Sequence, residues 1–376
     1  MLATLLIIAL SCPAKGQAGG MAPLPDSVRV VSGLPSHVQG VAADTARGCL
    51  YFSFTTQFIR TDMEGRVLGS IDRIPGHFGA MTLNPDDGKV YVSLECKDDE
   101  IGAGVARQLG LERTERADCA FYIAVIDPTR VTRTGMTPAD DGVMQTVLLP
   151  DVGRDYADSV LTTDGLREHR YGCSGIDGVA AAPRAGRRGG RHMLYVAYGI
   201  YGDKARTDND HQVILCYDVS RWGFHTRSAK PARKYFLHTG NTSYGVQNMT
   251  YDPSTRQLLM AVYKGSKPGF PNYDLYAADL SRRPFRAALE GVPYEGKCLQ
   301  LHLSRQGQHD SATGISGWRF PYGSTGIQAL GKGLFYLSQN FKDKATGHQG
   351  CNLCLYHWTS DPSKPFERGR KSENEK

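Results

Sequence analysis

The chain has 376 residues, long enough for one large all-β domain or two ordinary ones. Its formal net charge of +6 is modest, and for an exported protein nucleic acid is not the expected partner. Forty-three Gly and 19 Pro against 40% hydrophobic residues give a turn-rich globular sequence in which long helices are not the framework.

The first ten residues, MLATLLIIAL, are apolar, too short to span a bilayer and followed by small and polar residues, the pattern of a secretory signal over 1–18. Cleavage after Ala18 and lipidation at Cys12, where ALSC resembles an imperfect bacterial lipobox, are both open, and a buried N-terminal strand is the alternative. The expected location is therefore secreted, periplasmic or cell-surface lipoprotein, with membrane contact only through an anchor at Cys12. No later segment is long and apolar enough to cross a membrane.

Nine cysteines fit export. Cys96 and Cys119 flank an insertion between two neighbouring predicted strands, YVSLEC and CAFYIAVID, and are expected to form a disulfide. Cys351 and Cys354 form a C-x-x-C, but no second pair stands at zinc-ribbon spacing and Cys354 falls inside a strand, which argues against metal or redox chemistry.

One phrase recurs along the chain. Placing Gln39, Gly79, Asp177, Gln247 and Gln328 in register aligns five copies of a small or His residue, an apolar residue, the register residue and a short apolar strand. A turn and a second strand follow, containing Tyr51, Tyr91, Tyr195, Leu259 or Phe335. A third strand closes on Asp62, Asp127, Asp218 or Asp279 in four copies, and a less regular fourth reads in RVLGSI, MQTVLL, KYFLH and KCLQLHL. The spacings of 40, 98, 70 and 81 residues suit blades whose loops vary while their sheets do not. The fold is therefore expected to be an all-β, five-bladed β-propeller of four antiparallel strands per blade over residues 26–368. Val28–Val31 is expected to close the ring by pairing with the last blade, leaving a polar tail at 369–376; the protein is expected to be a monomer.

Inner strands of such a ring crowd the axis, where small residues permit close backbone approach. Connections entering the inner strands, and those joining second to third strands, emerge on one end of the ring, and the other end is expected to carry only short turns. The crowded end collects His37, His77, Tyr171 and Tyr244 with Asp98 and Asp203 as candidate catalytic groups. Arg170, Arg319, Lys97 and Lys264, with Trp318 and Asn340, are candidate contacts for an anionic or sugar-like ligand, since guanidinium forks grip oxyanions and aromatic faces stack on sugar rings. Asp208 and Asp210, in a Gly-containing loop, offer oxygen ligands for Ca²⁺ or another divalent cation, and a self-bonded Asx-rich loop is the plainer reading. Asp177, Gln247 and Gln328 can hold a cation or waters in the channel, or hydrogen-bond neighbouring blades. His37 and His77 can share a metal or a substrate, or merely cap their strands.

Three classes of function follow. A hydrolase acting on a glycan needs two carboxylates, and a uronate lyase needs charge neutralisation with a His/Tyr proton shuttle. A non-catalytic glycan- or protein-binding propeller needs only the aromatics and hydrogen bonds. The third class comes from the phrases HVQGVAAD, SGIDGVA and GVQNMTYD, which resemble the inner-strand phrase of plant-type glutaminyl cyclases. That resemblance implies a five-bladed propeller and a cyclising acyl transfer. The family carries an acidic residue in the second-blade phrase, whereas this chain reads HFGAM there.

Overall fold

The computed structural model describes residues 24–110, 119–223, 225–359 and 361–369, so the expected signal over 1–18, the Cys12 anchor and nearly all of the polar tail lie outside the described residues. Five antiparallel sheets stand in a ring as a five-bladed β-propeller. Blade 1 is Val38–Asp44, Cys49–Phe54, Gln57–Asp62 and Val67–Ile71, from axis to rim. Blade 2 repeats this with His77–Leu83, Val90–Cys96, Ala120–Ile126 and Met144–Leu148, and blade 3 with Cys173–Pro183, His192–Ile200, His211–Tyr217 and Arg233–His238. All five register residues fall on inner strands.

The ring closes as the sequence predicts. Ser27–Val31 pairs antiparallel with Gln349–Trp358, the third strand of blade 5, setting Val28 opposite Leu353. Phe366–Arg368 pairs with the far part of that same strand, so the fifth blade shares its outer edge between the two ends of the chain. The outer side of that third strand is thereby covered along both of its halves.

The second-strand tyrosines Tyr51, Tyr91 and Tyr195 are fully buried, as are Tyr276 and Tyr336 in the last two blades. Burying each such ring contributes about 2 kcal/mol, and together they form the packing between neighbouring sheets. At the axis the backbones touch: a Cβ on Gly40 would lie 2.8 Å from the Met81 amide nitrogen of the next blade. The Asn248 carboxamide of blade 4 donates to the carbonyls of Gln39 in blade 1 and Ser324 in blade 5, both at 2.8 Å, tying three inner strands together at one level of the channel.

Three expectations need correction. KCLQLHL is not simply the fourth strand of blade 4, because Lys297–Gln300 runs parallel to Arg233–His238 and extends blade 3. Only then does the chain cross to blade 4, whose outer edge is made by bridges from Leu303 to Ala278 and from Trp318 to Leu275. The end away from the crowded mouth carries more than short turns, since long connections join third to fourth strands in blades 2 and 3. The insertion after Cys96 begins with a helix, Glu100–Leu109, whose Asp99 cap accepts from the Gly102 amide. Finally, Cys96 and Cys119 are free thiols: the Cys119 sulfur accepts from the Asp98 amide, and the Cys96 thiol faces the Pro75 carbonyl.

Candidate functional site

Blade 2 supplies the centre of the mouth. Its inner strand starts at His77, whose register partner on the second strand is Glu95. Glu95 is only 4% exposed, and its two oxygens are taken by different blades: Oε1 accepts from the Ile176 amide of blade 3 at 2.6 Å, and Oε2 lies 2.9 Å from Lys97 Nζ. Lys97 also donates to the Ser174 carbonyl at 3.0 Å and stands 3.5 Å from Asp99 Oδ2. A buried carboxylate is tolerated here because an amide and an ammonium replace its water.

Gly175 makes this possible. Its φ of +134° is closed to most side chains, and a Cβ there would lie 1.8 Å from Glu95 Oε1. The Glu95 carboxylate thus occupies the space that any side chain at 175 would need.

The groups around this pair titrate away from their ordinary values. Burial raises the pKa of Glu95, against the pull of Lys97. Burial also opposes the charge on Lys97, but Glu95 beside it more than offsets that and its pKa is raised. His77 is held down to about 4 by burial, then by Lys97 and His37, so its ring is neutral at pH 7. Its Nδ1 is buried without a hydrogen-bond partner and lies 3.9 Å from Glu95 Oε2. Burial lowers His37 as well, and its Nε2 contacts the Gln39 carboxamide at 3.1 Å.

Asp177 completes the cluster from blade 3. Burial and then the charge of Glu95 push its pKa up to about 8, with Lys97 and Gln247 opposing, so it retains its proton at neutral pH. The Gln247 carboxamide donates to Asp177 Oδ2 at 3.2 Å and to the Tyr244 carbonyl at 2.9 Å. Tyr244 adopts a φ of +63°, and its exposed ring stands edge-on to Tyr263 with centroids 6.3 Å apart. Left-handed backbone at a bulky residue is strained, and here it turns an aromatic face outward at the mouth.

Beside this cluster opens a cleft of about 620 Å³, lined by His169, Tyr201, Asp203, Arg206 and Tyr244. The His169 ring packs between Tyr156 and Tyr201, at 4.7 and 5.1 Å. The structure therefore brings together His37, His77, Lys97, Asp177 and Gln247 at the mouth and seats Tyr244 and Asp203 in the adjoining cleft.

Tyr171, Arg170, Trp318 and Arg319 lie elsewhere. Tyr171 is buried with its hydroxyl donating to Glu295 at 2.9 Å, and Arg170 bridges Glu295 at 2.7 Å and Asp158 at 3.1 Å. Both hold the outer part of blade 3, because their loop runs outward before it reaches the axis. Trp318 is core, packed edge-on to Trp358, and Arg319 donates to the Pro271 carbonyl at the rim. Lys264 and Asn340 are exposed, as is Asp98 beside the insertion helix.

The cation ligands are spoken for. Asp208 is gripped by both arms of Arg206 at 2.8 Å, and Asp210 by Lys267 at 2.7 Å. Arg206 also donates to the Glu168 and His169 carbonyls, which makes the loop self-bonded, as the plainer reading has it. Gln328 donates to the Ala329 carbonyl. Among the described residues no group of three or more His, Cys, Asp or Glu is placed to hold a metal ion.

Glu95 is the residue that sequence reasoning missed. Its signal was a lone carboxylate in an apolar strand with a lysine two positions on, on the same face.

No protein-family model matches the chain, and no curated protein does. Among solved structures it is similar to a protein of unknown function from Dyadobacter fermentans, with 10% identity and a TM-score of 0.34, over 81% of this chain and 65% of that one. The chain thus spans less than two thirds of that neighbour's length. The five-bladed architecture is read from the chain's own sheets.

Proposed function

We propose that this propeller is an exported enzyme that uses acid–base catalysis at the channel mouth on a glycan or another anionic small substrate. The observation that carries this is Asp177: a carboxyl group raised to about 8 by burial and Glu95, with the neutral His77 3.9 Å from that same Glu95, offers a proton donor and a proton acceptor around one charge. Such a pair serves hydrolysis, with Asp177 protonating a leaving oxygen, or elimination, with a histidine removing the proton next to a substrate carboxylate. The aromatic cleft at Tyr201 and Tyr244 gives a sugar ring two faces to lie against. The test is Asp177→Asn assayed on neutral and uronic-acid oligosaccharides. Loss of turnover by about a hundredfold or more with binding retained supports the reading. Binding without any turnover in the parent protein would instead leave a glycan-binding module.

A second reading is favoured by one observation. The carboxylate missing from HFGAM is supplied one strand away by Glu95, directly across from His77. A cyclising acyl transfer like that of glutaminyl cyclases would use such a carboxylate, and release of ammonia from peptides with N-terminal glutamine checks it.

A further inference from the structure

At the end of the ring opposite the mouth, the turn between the first two strands of blade 3 reads RAGRRGGR from Arg184, an arginine-rich turn outside the repeated phrase. It lines a cleft of about 690 Å³ between blades 3 and 4 with five arginines: Arg184, Arg187, Arg188, Arg233 and Arg283. No carboxylate lines the cleft, and among the described residues none is ion-paired with any of the five. Guanidinium groups keep their charge at every physiological pH, so gathering five in one concavity costs stability through mutual repulsion unless an anion offsets it.

The cleft is built rather than accidental. The Gly186 amide donates to the Leu280 carbonyl at 2.9 Å, and the Ala185 amide is held by the Tyr195 hydroxyl at 3.0 Å. Gly186 has a φ of +78°, and a Cβ there would lie 2.7 Å from the Arg283 side chain, so the turn can sit this close to blade 4 only as glycine. Arg256 pins the Arg187 carbonyl at 2.6 Å from the far side. Two blades thus present their arginines from fixed backbone, the arrangement in which bidentate forks bind oxyanions with little ordering cost.

We infer that this cleft binds a small multivalent oxyanion, a ligand carrying two or more closely spaced phosphate, sulfate or carboxylate groups. A single inorganic phosphate would leave most of the volume and of the charge unused. The inference is independent of the chemistry at the mouth.

The test is calorimetric titration of the full chain with three probes: tripolyphosphate, a trisulfated disaccharide and a trimer of uronic acid. Binding of at least one, weakening steeply between low and physiological salt, is expected, and the probe that binds best identifies the source of the anions. The double variant Arg184→Ala/Arg283→Ala should lose affinity by about tenfold or more while its ligand-free melting temperature stays level or rises. Arg130→Ala, an exposed arginine away from the cleft, should bind as the parent does. If no probe binds, or if the cleft variant binds as well as the parent, the inference falls. An equal loss in both variants would also overturn it, because binding would then follow net charge alone.

Discussion

Glu95 stands directly across the blade 2 sheet from His77, its Oε2 3.9 Å from the ring Nδ1 and 2.9 Å from Lys97 Nζ. One carboxylate therefore holds the buried cation that faces the histidine, and sets the charge that Asp177 feels. Replacing Glu95 by Gln keeps the shape but leaves Lys97, whose side chain is 8% exposed, with only the more distant Asp99 at 3.5 Å as a counter-charge. A buried ammonium that loses its nearer partner costs about 2 to 3 kcal/mol. Urea unfolding of Glu95→Gln should show that loss, and the double variant Glu95→Gln/Lys97→Met should recover most of it. Equal stability of the two would mean that the pair is not coupled.

Gly175→Ala should fail for a different reason. The new methyl would need the space of Glu95 Oε1 in a backbone conformation that alanine avoids, so either the carboxylate leaves the Ile176 amide or the strand shifts. A loss of about 3 kcal/mol is expected. Pairing it with Glu95→Ala should reduce the added cost of the methyl, because the carboxylate it strikes is gone, whereas an undiminished cost would place the whole effect in the backbone.

The ring was legible because its cause is local and repeated. Crowding at the axis demands small residues at one phrase in every blade, and Gln39, Gly79, Asp177, Gln247 and Gln328 mark that phrase in the sequence. Asp177 was legible as a channel residue for the same reason. Radial position was not legible: Arg170, Tyr171 and Trp318 sit in loops on the expected end, but those loops run from rim to axis, and the sequence does not say where along the way a side chain is used. Glu95 was hidden because its partner amide belongs to Ile176, in another blade and beyond the long insertion.

Titration of thiols separates the two accounts of Cys96 and Cys119. The structure leaves both free, along with Cys49, Cys173, Cys216, Cys298, Cys351 and Cys354. Protein denatured without reductant should therefore react at all eight described positions. A titre two thiols lower, with Cys96 and Cys119 recovered in one linked peptide, would show that the pair closes as a disulfide. In the native state Cys96 should react slowly, since burial and then Glu95 raise its pKa and deplete the thiolate.

His211 gives the fold a pH dependence whose sign is fixed. It is buried, and burial, then His238 nearby, lower its pKa from 6.5 to about 3. The unfolded chain takes up a proton at this residue as the pH falls below 6.5, and the folded chain does not until about 3. Its contribution to stability is therefore fully present above 6.5 and is lost progressively as the pH falls through that window. His77 acts in the same direction down to about 4, whereas Asp177, with its raised pKa, favours the fold more as the pH falls from about 8. The opposing groups make the parent's profile a sum, so the informative quantity is a difference. His211→Phe, which keeps the ring beside His238 and Phe236 without a titrating nitrogen, should lose less stability than the parent between pH 7.5 and pH 4.5. Urea unfolding at several pH values reads this directly. If the two profiles run parallel across that range, His211 takes up its proton in the folded state as readily as in the unfolded one, and the burial argument for this residue is wrong.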